Sequence, residues 1–279
     1  MRLVGALVPR LPEAALAPAA ELVGAASYVV ARGARRASAD NLAAVVDTGD
    51  PDLVALRVRE TFRVQARNYA DLFRIPDLSL AEVERRVELV GWEHLQRAAS
   101  HGRGAILATV HLGNVDLVAQ LACARGLAVT VPVERIEPPA LLDYVTRLRA
   151  AHGLRLIPIG PGVVPALTAA LKRGEVVGFA VDRDVHGTGE PTPFLGRQAR
   201  LSHAPALLAL RTGAPVVPAT VRRLPGSRFA ATLHQPIWTE RGARPAEVMR
   251  RVVRPLEEAI RQIPGQWVMF QPLFLPEAR

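Results

Sequence analysis

Cysteine, aromatic residues and long apolar runs are scarce in this chain of 279 residues. Cys123 is the only cysteine, so an intramolecular disulfide is excluded and a zinc site built from thiolates is nearly excluded. This usage fits a reducing compartment. Phe, Trp and Tyr make up only 5% of the sequence. Proteins that read single-stranded nucleic acid usually stack bases on such rings, so a nucleic-acid partner is not expected.

The N-terminal region contains an apolar stretch that is too interrupted for a targeting or membrane-spanning segment. Arg10 and Pro12 break it, and Glu13 and Glu21 follow. It therefore matches neither a signal peptide nor a spanning helix. No later run reaches the roughly 18 apolar residues that a bilayer crossing needs. We expect a protein that is soluble or attached to a membrane surface, without a signal peptide or transmembrane helix.

Positive charge is abundant and almost entirely arginine, because Lys172 is the only lysine. The 35 basic and 26 acidic residues give a formal net charge of +9. Such an excess favours an anionic partner, which leaves nucleic acid, phosphorylated substrates and an acidic lipid surface as classes. Charge alone does not choose among them.

The distribution of apolar residues predicts two regions. Residues 1–86 are typical of helices, with one helix over residues 13–30 and another that begins at an Asp50 cap followed by Pro51. From Val87 onward, short apolar runs typical of strands alternate with helical patterns. The predicted strands are 104–110, 127–133, 154–160, 175–181 and 214–223, and the predicted helices are 115–124, 140–152, 163–173, 204–212 and 245–262.

This alternation predicts an α/β fold with a mainly parallel or mixed central sheet flanked by helices. We expect one compact domain overall, in which an N-terminal helical extension (1–86) packs on an α/β core (87–279). Polar residues follow the ends of several predicted strands: His111, Glu134 and Arg135, Gly160 to Gly162, and Asp182 to Asp184. Because ligands of open α/β sheets bind beyond the carboxyl ends of the strands, this edge is the predicted site.

The stretch HLGNVD places His111 and Asp116 where a strand gives way to a helix. If the whole stretch were helical, the two side chains would lie about 140° apart around the axis. We therefore predict that His111 ends the strand and that Asp116, in the first helical turn, reaches back to its ring. Such a carboxylate would fix the imidazole tautomer for general-base chemistry on a substrate hydroxyl. Backbone N–H groups of Gly113 and Asn114 would stabilise a carbonyl oxygen or a phosphate.

Two alternatives accompany this interpretation. The motif is also compatible with a capped helix beside a solvated histidine. A metal site is not expected, because the other histidines, at positions 94, 101, 152, 186, 203 and 234, show no ligand spacing.

The stretch HLGNVD also resembles the H-x-x-x-x-D/E motif of glycerolipid acyltransferases. In its H-x-G-N-x-[DE] form it is similar to the bacterial lipid A biosynthesis acyltransferase family, which includes the phosphatidylinositol mannoside acyltransferases. Further blocks resemble that family in the same order along the chain. They are RRASADNLAAVV (35–46), residues 133–158, residues 179–223 and IPGQWVMFQPLF (263–274).

The resemblance implies transfer of an acyl chain from acyl-CoA or acyl carrier protein to a hydroxyl of a membrane glycolipid or lysolipid. It implies no metal, no cofactor and no covalent acyl-enzyme. His111 would be the general base and Asp116 its orienting partner. Residues that match other family positions would bind donor or acceptor, or brace the site: Glu134, Arg149, Asp182 and Arg183. The aspartate at 116, where the lipid A branch usually has glutamate, and the missing spanning segment favour a phosphatidylinositol mannoside-like acceptor.

Other readings of these residues stay open. Glu134 and Arg135 would also suit a surface ion pair, and Arg149 a solvated helix face. The absence of G-x-S-x-G, G-x-x-x-x-G-K-[ST] and G-x-G-x-x-G motifs removes the support for serine hydrolases, P-loop proteins and dinucleotide enzymes. A lysophospholipid or glycerol phosphate acyltransferase and a non-catalytic lipid-binding relative remain as alternatives. The arginines and the apolar N-terminal helices predict peripheral attachment to an anionic membrane, on the cytoplasmic face of the plasma (inner) membrane.

Overall fold

The computed structural model describes residues 8–46, 50–184, 187, 189–240 and 242–276. The N-terminal part of the fold is a layer of helices. The layer contains α1 (Glu13–Val30), α2 (Arg32–Ala43) and α3 (Pro51–Arg74). As predicted, Asp50 caps α3, because its Oδ1 accepts a hydrogen bond of 2.9 Å from a backbone N–H in the first turn.

Helix α3 joins the helical layer to the rest of the molecule. Its apolar positions Val58 and Phe62 are buried in the same core as the strands and Trp267. The Phe62 ring lies 5.7 Å from that of Tyr28 in α1 and 4.6 Å from that of Phe270 near the C-terminus. The helical region 1–86 therefore shares its core with later elements, and the domain boundary at residue 87 stays a prediction.

The remaining helices and strands follow α3 along the chain. In chain order they are α4 (Leu80–Arg86), β1 (Val87–Val90), α5 (Trp92–Ala99), β2 (Ala105–Thr109), α6 (Val115–Ala124), β3 (Val129–Val133), α7 (Pro139–Arg149), β4 (Arg155–Pro158), α8 (Val163–Lys172), β5 (Val176–Ala180), β6 (Glu190–Phe194), β7 (Arg197–Leu201), α9 (Ala204–Thr212), β8 (Val216–Leu224), β9 (Arg228–Leu233) and α10 (Pro245–Gln262). All five predicted strands and the helices between them are present.

Among the described residues, a seven-stranded sheet has the order β1-β9-β8-β2-β5-β3-β4. Strands β8, β2, β5, β3 and β4 run parallel to one another. Strand β9 pairs antiparallel with β8 across a tight hairpin, and β1 pairs parallel with β9. The sheet is thus mixed, and the predicted α/β class is confirmed. Strands β6 and β7 form a separate hairpin.

The pairing of β2 with β5 brings the carboxyl ends of these strands together. In their parallel register, Thr109 lies opposite Ala180. His111 follows Thr109 by two residues, and Asp182 follows Ala180 by two residues. The register therefore delivers these two side chains to the same point on the edge of the sheet.

No single helix within the described ranges is long and apolar enough to cross a membrane. Helix α1 from Ala14 and helix α2 meet the length and composition criteria only as a pair, which is bent by 94° at the junction.

A buried histidine makes the stability of this fold sensitive to acid. His203 precedes α9, is buried, and its Nε2 lies 2.7 Å from Oγ1 of Thr192. Burial lowers the pKa of His203 below its ordinary value of 6.5, against a weaker opposing effect of Glu190. The unfolded chain therefore takes up the proton first. The stabilising contribution is complete above pH 6.5 and is lost as the pH falls below that value.

We predict that the free energy of unfolding, measured with urea, decreases between pH 7.5 and pH 5.5. The decrease should be smaller in His203→Gln, whose amide keeps a partner for Thr192 without titrating. His234, whose pKa burial also lowers, remains as an internal reference in both proteins. Equal losses in the two proteins would contradict the assignment to His203.

Candidate active site

His111 and Asp182 form the centre of the predicted site. Nδ1 of His111 lies 2.8 Å from Oδ1 of Asp182. Because a carboxylate has only acceptors, Nδ1 carries the hydrogen and Nε2 is left free to take up a proton. The His111 side chain is 30% exposed, whereas that of Asp182 is fully buried. The arrangement leaves the basic nitrogen of the ring at the edge of the sheet.

Two further donors hold the Asp182 carboxylate. The backbone N–H of His111 and the indole Nε1–H of Trp267 each donate to Oδ2, both at 2.9 Å. Burial acts to raise the pKa of Asp182, but the charge of His111 and the three hydrogen bonds outweigh it, so the pKa is lowered. Asp182 therefore stays ionised and stabilises an imidazolium at His111.

The partner of Asp116 differs from the expectation. Asp116 pairs with Arg149 at the end of α7, where Nη2 donates to Oδ2 at 2.9 Å and Nε lies 2.9 Å from Oδ1. Gln120 also links α6 to the end of α7, because its Nε2 donates to the backbone oxygens of Asp116 and Arg149. The predicted His111–Asp116 pair is corrected to His111–Asp182. The cause is the register of the sheet, which brings Asp182 to Nδ1 while α6 turns Asp116 toward α7.

Gly113 shapes the turn after His111 rather than offering a donor. Its φ is +64°, and a Cβ at this position would approach within 2.7 Å of the backbone oxygen of Val221, so only glycine fits. Its N–H donates to the backbone oxygen of Gln266 at 3.0 Å. The expected use of this N–H for a substrate oxygen is therefore corrected.

Asn114 is equally occupied. It is almost completely buried, its Oδ1 accepts from the N–H of Leu117 at 3.1 Å, and its Nδ2 donates to Oδ2 of Asp71 at 2.9 Å. The first bond caps α6, which confirms that the helix begins here. The second fixes the turn to α3. Both bonds use the side chain, so the expected role of the Asn114 backbone N–H toward a substrate oxygen stays a prediction.

A network of polar side chains that the sequence did not predict lies behind the turn at Gly113. Arg223 of β8 donates through Nη2 to Asp71 at 2.5 Å and to Oδ1 of Asn68 at 2.7 Å. Nδ2 of Asn68 donates to the backbone oxygen of Gly113 at 2.6 Å. Arg223 also binds the Gln266 side chain through its own backbone, at 2.7 and 3.0 Å. The sequence pattern that could have indicated this network is the pair of polar residues Asn68 and Asp71, three residues apart on the core face of α3.

The C-terminal segment completes the site. Trp267 forms an isolated antiparallel bridge with Leu112, and the N–H of Val268 donates to the backbone oxygen of His111 at 2.7 Å. The sequence marked this segment only through its family resemblance, because no local pattern shows that an indole reaches the end of β5.

Glu134 and Arg183 meet at the same edge of the sheet. Oε2 of Glu134, after β3, lies 2.8 Å from Nη2 of Arg183, after β5, and both side chains are about one-third exposed. Arg135 is directed elsewhere, since its Nε donates to the backbone oxygen of Ile159 at 3.1 Å. The alternative of a Glu134–Arg135 surface pair is thus not observed, and Glu134 instead pairs with Arg183, the residue after Asp182.

The described part of the chain contains no group of three or more His, Cys, Asp or Glu residues that could hold a metal ion. His186, one of the histidines considered above, lies outside the described residues.

An imidazole whose tautomer is fixed by a buried carboxylate, at the carboxyl edge of an α/β sheet, is the arrangement of a general-base enzyme. The sequence model of the bacterial lipid A biosynthesis acyltransferase family matches residues 2–276 of this chain. The chain belongs to this family. It is accordingly an O-acyltransferase of lipid biosynthesis, as predicted.

Individual relatives agree with the family. A phosphatidylinositol mannoside acyltransferase of Mycobacterium tuberculosis is 27% identical over 278 residues, covering 97% of this chain and 86% of the relative. Another of Mycolicibacterium smegmatis is 26% identical over 275 residues, with 97% and 89% coverage. Among solved structures, the 1-acyl-sn-glycerophosphate acyltransferase PlsC of Thermotoga maritima aligns with a TM-score of 0.44 and 14% identity, over 90% of this chain and 96% of that one.

We predict that Trp267→Phe slows acyl transfer by about one to two orders of magnitude, since losing one hydrogen bond to a charged group costs roughly 1.5–3 kcal/mol and about 1.4 kcal/mol corresponds to a factor of ten. Phenylalanine preserves the ring packing against Phe194. Initial rates of acyl transfer should be compared with those of Trp238→Phe, a change at a partly exposed tryptophan. Equal rates in both variants would show that the indole N–H is dispensable.

Proposed function

We propose that this protein transfers a fatty acyl chain from an acyl thioester, acyl-CoA or acyl carrier protein, to a hydroxyl of a membrane glycolipid resembling a phosphatidylinositol mannoside. The observation that carries the chemistry is the bond from His111 Nδ1 to the ionised Asp182, which leaves Nε2 free at the edge of the sheet. The acceptor class is supported by the relatives, which match 97% of this chain.

The reaction follows from this geometry. Nε2 of His111 removes the proton of the acceptor hydroxyl while its oxygen attacks the thioester carbonyl carbon. The new C–O bond forms, the C–S bond of the tetrahedral intermediate breaks, and the imidazolium returns its proton to the leaving thiolate. Asp182 stabilises the imidazolium between these steps. The acyl chain passes directly to the acceptor, so no covalent acyl-enzyme and no cofactor is required.

Cationic side chains near the edge are assigned to binding. Arg183 is oriented by Glu134, and Arg149 by Asp116. Both arginine side chains are about 30% exposed. They are suited to the developing oxyanion or to phosphate groups of the donor, because a guanidinium binds such oxygens through paired N–H groups. Glu134 and Asp116 would act by holding these arginines rather than by transferring protons.

The acceptor and the donor chain are lipids, and helix α1 offers an apolar surface toward them. Leu22, Val23, Val29 and Val30 of α1 are between 58% and 79% exposed. Arginines at the start of α2 follow directly. Apolar residues beside basic ones favour peripheral attachment to an anionic membrane. We assign the attachment to the cytoplasmic face of the plasma (inner) membrane, where the thioester donors are available.

We predict that His111→Ala lowers the acyl-transfer rate by about 10² to 10⁴, the usual contribution of a general base. The change also removes one donor from the buried carboxylate of Asp182, so thermal unfolding should shift to a lower temperature, and the rates are compared at a temperature at which both proteins are folded. The assay is long-chain acyl-CoA with a mannosylated phosphatidylinositol acceptor, with the acylated product quantified by mass spectrometry. Full activity of the variant would rule out the mechanism.

The two carboxylates should differ in how they affect the reaction. Asp182→Asn should lower kcat by about 10² to 10⁴ and alter its pH profile, because the amide no longer fixes the imidazole as a base. Asp116→Asn should lower the rate without altering the shape of that profile, because Asp116 binds Arg149. Rate profiles between pH 5.5 and pH 9 decide this. A changed profile only in Asp116→Asn would restore the pairing expected from the sequence.

Membrane attachment has its own test. The protein should float with vesicles containing anionic phospholipid at low salt, and salt should weaken the interaction, because each basic residue near such a surface contributes about 1 kcal/mol. Val29→Ser/Val30→Ser should bind more weakly. Val90→Ser, an equally exposed valine on β1, serves as the control. Absence of binding by the unaltered protein at low salt would contradict the proposal.

A further inference from the structure

A cavity of about 550 Å³ lies between α1, α2 and the beginning of α3. This volume falls within the range of small-molecule sites. Its lining comes from the described residues of the helical layer, and His111, Asp182 and the other residues of the acyl-transfer site take no part in it. Asn68 of α3, which binds the turn at Gly113, lies ten residues after Val58 of the cavity lining. At 1.5 Å per residue, the two sites are about 15 Å apart along the helix.

One wall of the cavity is cationic. Arg32, Arg35 and Arg36 line it from the first two turns of α2. Arg35 is held in place, because its Nη1 donates to the backbone oxygen of Tyr28 at 3.1 Å and its guanidinium lies 5.1 Å from the centre of the Tyr28 ring. Arg32 and Arg36 are exposed. Asp40 is the acidic residue of the lining, so the wall carries an excess of positive charge.

A second wall is apolar. It is formed by Val46, three residues after the end of α2, and by Pro51, Val54, Ala55 and Val58 in the first turns of α3. A small free anion would make no favourable contact with this apolar wall. Guanidinium groups facing hydrocarbon match a ligand that joins a phosphate to an alkyl chain.

The cavity lies beside the surface through which we propose that the protein meets the bilayer. Tyr28 in its lining immediately precedes Val29 and Val30, which are 64% and 79% exposed. A lipid in the membrane would therefore reach the cavity without leaving the bilayer surface.

We propose that this cavity binds the phosphate headgroup and the adjoining methylene groups of an anionic membrane phospholipid. The arginines contact the phosphate, and the valines and alanine contact the beginning of the acyl chains. The site is separate from the one where acyl transfer takes place. The inference uses the proposed membrane attachment for the source of the lipid, but it does not depend on acyl transfer, so either can fail alone.

The experiment is calorimetric titration of the full chain with dihexanoylphosphatidylglycerol below its critical micelle concentration. One site is expected, and inorganic phosphate should bind at least tenfold more weakly because it lacks the alkyl chain. Arg32→Gln/Arg36→Gln should weaken lipid binding about 10- to 30-fold, the effect of two basic residues near anionic lipid. Arg250→Gln/Arg254→Gln on α10 removes the same charge from another exposed surface and should leave binding unchanged.

A second variant tests the cavity without changing charge. Ala55→Phe fills the apolar side and should abolish lipid binding while the arginines remain. If this variant does not fold, as judged by its thermal transition, the arginine pair and its control decide. The proposal is overturned if the unaltered protein does not bind the lipid, or if inorganic phosphate binds equally well. It is also overturned if the α10 control weakens binding as much as the α2 pair, or if folded Ala55→Phe binds normally.

Discussion

The hydrogen bonds to the buried carboxylate of Asp182 are the constraint on which the site depends. A charge without solvent contact is tolerated only when donors surround it. Here the three donors come from two distant parts of the chain: two from His111 after β2 and one from Trp267 in the C-terminal segment. The same bonds that make burial acceptable keep the imidazole in one tautomer. The position of the imidazole and the folding of the sheet edge are therefore consequences of one set of contacts.

The helical layer contributes to this geometry directly. Asn68 and Asp71 of α3 hold the turn of Gly113 and Asn114 from behind, and Arg223 ties them to β8. Because Asp71 and Arg223 are both buried, loss of either leaves an unpaired charge in the interior. The layer thus supports the site at one end of α3 and offers an arginine-lined cavity at the other.

Much of the fold follows from local patterns, whereas the partners within the site do not. The strands around positions 106, 130 and 177 are buried on both faces and therefore read as continuous apolar runs, and Asp50–Pro51 marked the start of α3. Strands β1 and β9 are short or alternate in burial at the margin of the sheet, and they gave no such signal. The position of His111 at a strand end was predictable, but its partner was not. Proximity in sequence favoured Asp116, while the order β2-β5, invisible in a single sequence, selected Asp182.

The contribution of Trp267 has a consequence for biosynthesis. During translation His111 and Asp182 emerge from the ribosome before Trp267, so the bridge between Leu112 and Trp267 forms only after the segment around Trp267 has emerged. The carboxylate of Asp182 therefore lacks one of its three donors until the chain has been synthesised beyond Trp267.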